Sequence, residues 1–238
     1  MMIWVAIPYA CLTVFVVGHV WRFRAGKLTW TTRSTQLLES RLLRLGGPLF
    51  HLGLLAVIGG HVLGILVPEQ ATEAVGVSES LYHAVSVSAG TASGLAMSAG
   101  FAILLYRRTR VPRVRRTTNS ADRATYALLA IVIVTGMWAT VGVNLFGGGY
   151  DYRQTVGPWF RGLFLANPDP SLMSGAPLVY QAHALAAMGL YALWPFSRLV
   201  HAWSVPTAYL RRSRILYRRC APIPATPAQL QTEPRRLP

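Results

Sequence analysis

Six histidines punctuate a chain of 238 residues in which 53% are apolar and only 13% are charged. They are His19, His51, His61, His83, His183 and His201. Neutral imidazole binds transition metals, and the same ring exchanges protons near neutral pH. Two of the six stand in GGPLFHLGLLAVIGGHVLGILVP (46–68), a run otherwise almost free of polar side chains. Ionisable groups are costly in such surroundings, and they are functional candidates by default. A single buried histidine also has a plainer reading, a hydrogen bond to a neighbouring helix. Four of them at matched depths point instead to a shared ligand.

The elements that position them are five apolar runs, each about 20 residues long, the length that crosses about 30 Å of hydrocarbon as a helix. They are Met2–Trp21, Gly47–Val67, Leu81–Tyr106, Ala124–Leu145 and Pro177–Phe196. Leu, Val, Ala and Gly dominate them, and Trp or Tyr marks several ends, as at headgroup depth. The alternating segments of a membrane β-barrel do not occur. The expected fold class is all-α: a polytopic membrane bundle of five transmembrane helices over residues 1–212. A basic, proline-rich tail follows at 213–238, and its end is expected to be disordered. The first run carries its positive flank (Arg22, Arg24, Lys27) after the apolar stretch, so it reads as a retained span rather than a cleaved signal.

Charge gives the orientation. The net charge is +15, with six Lys and Arg in 22–44, seven in 107–123 and eight in 198–238. The two remaining loops, 68–80 and 144–176, hold only Arg153 and Arg161, together with Glu69, Glu73, Glu79, Asp151 and Asp169. The positive-inside bias then places the N-terminus outside and the C-terminus in the cytoplasm. A basic belt against membrane lipid headgroups accounts for most of these arginines, and no nucleic-acid partner is expected. The two cysteines, Cys11 and Cys220, fall on opposite sides of the membrane and form no disulfide. They are also too few to hold an iron–sulfur cluster, which usually needs four thiolates.

Topology gives each histidine a depth. His51 lies one turn in from the cytoplasmic face, and His61 about 15 Å further out at 1.5 Å per residue. On the fifth span, His183 sits near the outer face and His201 near the cytoplasmic face. Two antiparallel helices thus offer an inner pair (His51, His201) and an outer pair (His61, His183). That arrangement suits two haems stacked across the membrane, each held by two axial histidines. With both axial positions filled, such a centre has no open site for substrate, so electron transfer is its expected work. The glycines around His51 and His61 (Gly46, Gly47, Gly53, Gly59, Gly60 and Gly64) let helices approach closely. Beside the ligands, Gly60 above all, they equally admit the edge of a flat macrocycle. One mismatch stands: ten residues rise about 15 Å, but 18 rise about 27 Å in a straight helix. A kink at Pro195 reconciles the two, and so does an extended, tilted fifth helix.

Several blocks carry a resemblance: WRFRAGKLTW (21–30), RSTQLL (33–38), PLFHLGLLAVIGGHVLG (48–64), AGTASG (89–94), PRVRRTTNSAD (112–122) and, most specific, PFSRLVHAWSVPTAYL (195–210). Over roughly residues 10–212 the chain resembles the gamma subunit of respiratory nitrate reductase, a membrane dihaem cytochrome b. The resemblance implies two haem b groups, with His51 and His201 as inner ligands and His61 and His183 as outer ligands. It implies a multi-pass subunit of the cell inner (cytoplasmic) membrane that oxidises menaquinol or ubiquinol and releases protons outside. Electrons would pass to an iron–sulfur beta subunit and a molybdenum-containing alpha subunit, which reduces nitrate on the cytoplasmic side. No nitrate-reducing site is expected in this chain.

The family's lysine near the start of the third span is replaced here by SESLYHAVSV (78–87). His83, with Glu79, is the expected quinol proton acceptor, against the plainer reading of a solvated interfacial histidine. His19 reads as an ordinary interhelical or interfacial contact. Arg113, Arg115, Arg116 and Arg198 are placed to bond haem propionates or to dock the iron–sulfur subunit, and Arg198 is favoured because it lies one turn before His201. The alternatives are a related cytochrome b serving a sulfur-metabolism or heterodisulfide reductase-like complex, and a haem-free scaffold. A scaffold leaves four intramembrane imidazoles each in need of a partner.

Overall fold

A computed structural model describes residues 2–25 and 34–203, and regular structure among them is entirely helical. The expected tail at 213–238 lies outside the described residues, as do parts of the 21–30 and 195–210 blocks. Among the described residues, four helices are long and apolar enough to cross a membrane. The first is α1 (Ile3–Ala25); the second is α2 (Arg41–His61), prolonged by a π-helical turn over Val62–Leu66. A short α3 (Glu69–Glu73) leads into the longest, α4 (Glu79–Arg110), and α5 (Pro112–Arg115) turns the chain at its end. The fourth is α6 (Ser120–Met137), prolonged by a π helix over Trp138–Leu145. Beyond it, α7 (Val156–Phe164) and α8 (Pro170–Ser174) precede α9 (Leu178–Leu193).

Caps and charges explain where the long helices begin and end. The Ser78 hydroxyl accepts from the Leu81 N–H at the start of α4, and Glu79 sits in its first turn. Arg107, Arg108 and Arg110 fill its last turn, where the helix dipole favours cations. At the start of α6, Asn119 and Asp122 bond reciprocally to each other's backbone N–H in a capping box. The surface of the bundle is apolar along the spans; Leu52, Leu55, Ile58 and Leu63 of the second span are all exposed. That is the pattern of helices whose outer face meets lipid.

The most extensive helix pairing is α2 with α4. A Cβ on Gly53 would lie 2.5 Å from the Met97 backbone nitrogen, and one on Gly100 only 2.3 Å from that of Phe50. Backbone therefore packs on backbone, which only glycine permits at these two crossings. Phe101, Met97 and Ile133 form the core between α2, α4 and α6. A second core, of Trp4, Trp159, Leu163, Met173 and Met188, joins α1 to α7, α8 and α9 at the acidic end. There the Trp159 indole N–H donates to Trp4 O at 2.9 Å.

The fifth expected span, 177–196, holds the 16 residues of α9, about 24 Å of rise, and α9 is not among the four long helices. Its α-helical part stops before Pro195, which lies in a 3-10 turn, Trp194–Phe196. Ser197 is extended, and a further 3-10 turn, Arg198–Ala202, carries His201. His183 and His201 therefore do not share one straight helix, which removes the spacing mismatch. Arg22 of α1 pins this broken segment by donating to Pro195 O at 2.5 Å and to Ser197 O at 2.9 Å.

Candidate functional site

α2 packs on α4, and α9 packs on α6 and α1, but α2 and α9 do not pack closely on each other. The two histidines of α2 nevertheless face His183 of α9 and His201 of the 3-10 turn beyond it, at two levels. His51 and His201 have ring centres 6.0 Å apart with planes at 73°. His61 and His183 also stand 6.0 Å apart, with planes at 22°. An atom bonded to a nitrogen of each ring at about 2.0–2.1 Å, plus about 1.1 Å from each nitrogen to its ring centre, sets the centres about 6 Å apart.

All four rings are held through Nδ1. His51 bonds Gly47 O at 2.8 Å, His61 bonds Val57 O at 2.8 Å, and His201 bonds Arg198 O at 2.6 Å. His183 bonds Val132 O at 3.0 Å and the Thr135 hydroxyl at 3.1 Å. A carbonyl only accepts, so each Nδ1 carries the proton and Nε2 carries the lone pair that ligates metal. His51 and His61 are exposed on α2, and a Cβ at Gly59 or Gly60 would meet nothing within 4 Å. Open space beside paired, pre-oriented imidazoles fits a flat group ligated from both faces, so the residues present fit haem.

The remaining expected site residues are dispersed. His83 is exposed, with Nε2 3.8 Å from where a Cβ on Gly149 would stand. Glu79 does not bond His83; it accepts from Arg153 at 3.0 Å. Gly60 adjoins His61 on α2. Arg113 and Arg115 are exposed on α5, as is Arg116 beyond it. Arg198 donates through Nε to Asp122 at 2.6 Å and through Nη2 to Thr117 O at 3.0 Å. That ion pair anchors the turn carrying His201 to the capped start of α6. His19 bonds Phe15 O at 2.6 Å and stands edge-on to Trp203, ring centres 6.4 Å apart.

Three features beyond these readings frame the acidic-end pair. Arg153 is only 3% exposed; its guanidinium bonds Glu79 and Thr72 and lies 3.9 Å from the Tyr82 ring centre. Tyr82 and Tyr152 join hydroxyls at 3.0 Å, pressed against Gly64 in the π turn after His61. Thr135 reaches His183 from another helix. For Arg153 the sequence held one signal, its place as one of only two basic residues in the loops that carry most of the acids. For the other two it held none, because tyrosines in loops and threonines in spans are common.

Together these features define a helical membrane protein carrying opposed imidazoles at two depths, suited to a redox cofactor rather than to a soluble substrate. The sequence profile of the nitrate reductase gamma subunit matches residues 1–220. The chain is 44% identical over 217 residues to the nitrate reductase gamma chain of Bacillus subtilis, covering 91% of this chain and 97% of that one. It is 34% identical over 212 residues to the respiratory nitrate reductase 1 gamma chain of Escherichia coli, covering 89% and 93%. It is also 47% identical over 217 residues to the nitrate reductase-like protein NarX of Mycobacterium tuberculosis, of which it spans 33%. The chain belongs to the nitrate reductase gamma subunit family, the membrane cytochrome b subunits of that oxidoreductase.

Proposed function

We propose that this subunit oxidises menaquinol or ubiquinol near the outer face of the inner (cytoplasmic) membrane and passes the electrons inward. They would go to the iron–sulfur beta and molybdenum-containing alpha subunits, and the protons would be released outside. The observation that carries this reading is the pair of opposed imidazoles at 6.0 Å on each of two levels. His51 and His201 would hold an inner haem b, and His61 and His183 an outer one. Each haem would supply a one-electron centre there. The protein's own work is to fix all four rings by their Nδ1 bonds before the cofactor arrives. Arg198 contributes through its carbonyl and through its tie to Asp122. Arg113 and Arg115, exposed at the basic end, remain available to propionates or to the beta subunit.

At the quinol end, Glu79 is committed to Arg153, which leaves His83 as the proton acceptor within reach of the acidic loops. Redox-difference spectra of the assembled complex test the whole reading. Quinol should reduce two b-type centres and nitrate should reoxidise both. His51→Ala or His201→Ala should remove one centre, and His61→Ala or His183→Ala the other. A single centre in the unaltered complex overturns the pairing. His83→Ala should slow reduction by quinol while leaving reduction by dithionite complete; an unchanged quinol rate removes His83 from the site.

A further inference from the structure

Three of the four paired histidines are held by their own segment. His51 and His61 use the carbonyl four residues earlier on α2, and His201 the carbonyl three residues earlier in its 3-10 turn. His183 is held across the bundle, by Val132 O and the Thr135 hydroxyl on α6. The approach is close: a Cβ on Gly136 would come within 2.9 Å of His183 Cε1 and 3.3 Å of Nδ1. Residues 132–136 thus form a cradle for one imidazole, and the cradle needs glycine at its edge.

Donor accounting fixes the direction of these bonds. The Thr135 hydroxyl has one proton, and Ile131 O at 2.7 Å takes it ahead of Val132 O at 3.3 Å. Its oxygen can then only accept from His183, and Val132 O also only accepts. The single Nδ1–H proton is therefore shared between a hydroxyl and a carbonyl, whereas Nδ1 of each other ring bonds a carbonyl of its own segment. A hydroxyl that donates onward is polarised into a better acceptor. Two acceptors on Nδ1–H move electron density into the ring and make Nε2 a stronger donor to a metal. A stronger axial donor stabilises the oxidised state of the iron it holds and lowers its potential.

We infer that Thr135 is a positioning residue that sets the reduction potential of the outer centre through His183. This rests on the reading of His61 and His183 as the outer ligand pair. The test is an equilibrium redox titration of both b-type centres, with haem content measured, in the complete complex carrying Thr135→Val or Thr135→Ser. In Thr135→Val, which keeps the shape but loses the acceptor, the outer couple should shift to higher potential. The expected shift reaches about tenfold in the reduced-to-oxidised ratio at fixed potential, ~59 mV for one electron. The inner couple should stay in place, and Thr135→Ser should restore the unaltered value. Loss of the outer haem in Thr135→Val alone, with Thr135→Ser retaining it, also supports the inference, because Thr135→Ser keeps the hydroxyl although it lacks the γ-methyl. An unmoved outer couple with both haems present overturns it, as does an equal shift of both couples or loss of the outer haem in both variants. Failure of the underlying ligand reading looks different: His183→Ala would leave both centres intact.

Discussion

Glycines on one helix carry two different constraints at the scale of single residues. Gly53 has no room for a side chain, since Met97 backbone stands 2.5 Å from the Cβ position, whereas Gly60 opens on space. If packing alone selected Gly60, a larger residue there should be harmless, and helix propensity should improve by up to about 1 kcal/mol. The proposed function gives the opposite expectation for the cofactor. Gly60→Leu should accumulate in the membrane with unchanged or raised thermal stability, yet lose the outer haem, read as one b-type centre per complex instead of two. Retention of both centres at unaltered potentials would return Gly60 to the ordinary small residues of a helix face. The histidines themselves are legible in the sequence because depth follows from counting residues along a span. Thr135 is not, because its meeting with His183 depends on how α6 lies against α9, which no periodicity within either segment records. The commitment of Glu79 to Arg153 rather than to His83 is hidden for the same kind of reason, since the two lie 74 positions apart in sequence.

Between elements, the basic end of α4 is locked to the segment that precedes α2. Arg107, only 3% exposed, donates through Nε to Glu39 at 2.5 Å and through its Nη atoms to Thr35 Oγ1, Thr35 O and Glu39 O. Burial works to raise the Glu39 carboxyl, but the Leu42 N–H and the Arg107 guanidinium outweigh it and hold the carboxyl below its ordinary 4.5. A depressed carboxylate contributes its stability in full above the unfolded value and loses it as the pH falls through the folded one. Amide exchange in residues 34–40 should therefore stay slow above about pH 4.5 and quicken in more acid solution, the reference value being an ordinary glutamate. Arg107→Ala should quicken it at every pH and cost about 3 kcal/mol, the penalty for breaking a mostly buried pair from one side. Glu39→Gln should remove the acid dependence; if it persists, another group is responsible. The elements differ in how well the sequence announces them. The first four spans stand close to where their apolar runs put them. A single helix is too simple for the fifth, because a proline after an unbroken apolar run marks a break without fixing the conformation beyond it. Two 3-10 turns and the Arg22 clamp occupy that stretch, and they bring His201 opposite His51.

For the whole molecule, everything vectorial depends on which end faces the cytoplasm. The acidic end, with Glu69, Glu73, Glu79 and Asp151, is the one where the second span, carrying His61, finishes and α4 begins. The basic end, with Arg107, Arg108, Arg110, Arg113 and Arg115, is the one where α4 finishes and the segment leading into α2, which carries His51, begins. Lys and Arg near span ends are retained on the cytoplasmic side with far greater consistency than acids are exported, so the basic end is the one to assign. If the basic end is cytoplasmic, the proposed oxidation of quinol at the acidic end would release protons outside while electrons pass inward, and each turnover would build membrane potential. If it is external, the same chemistry would dissipate it. A labelling experiment separates the two. In a background carrying Cys11→Ser and Cys220→Ser, Val75→Cys places a thiol at a position 76% exposed at the acidic end, and Arg116→Cys places one on the exposed basic turn. A membrane-impermeant maleimide applied to intact cells should label Val75→Cys at once and Arg116→Cys only after the membrane is opened. The converse pattern would invert the bundle, exchange the inner and outer assignments of the two histidine pairs, and rule out proton release on the outside.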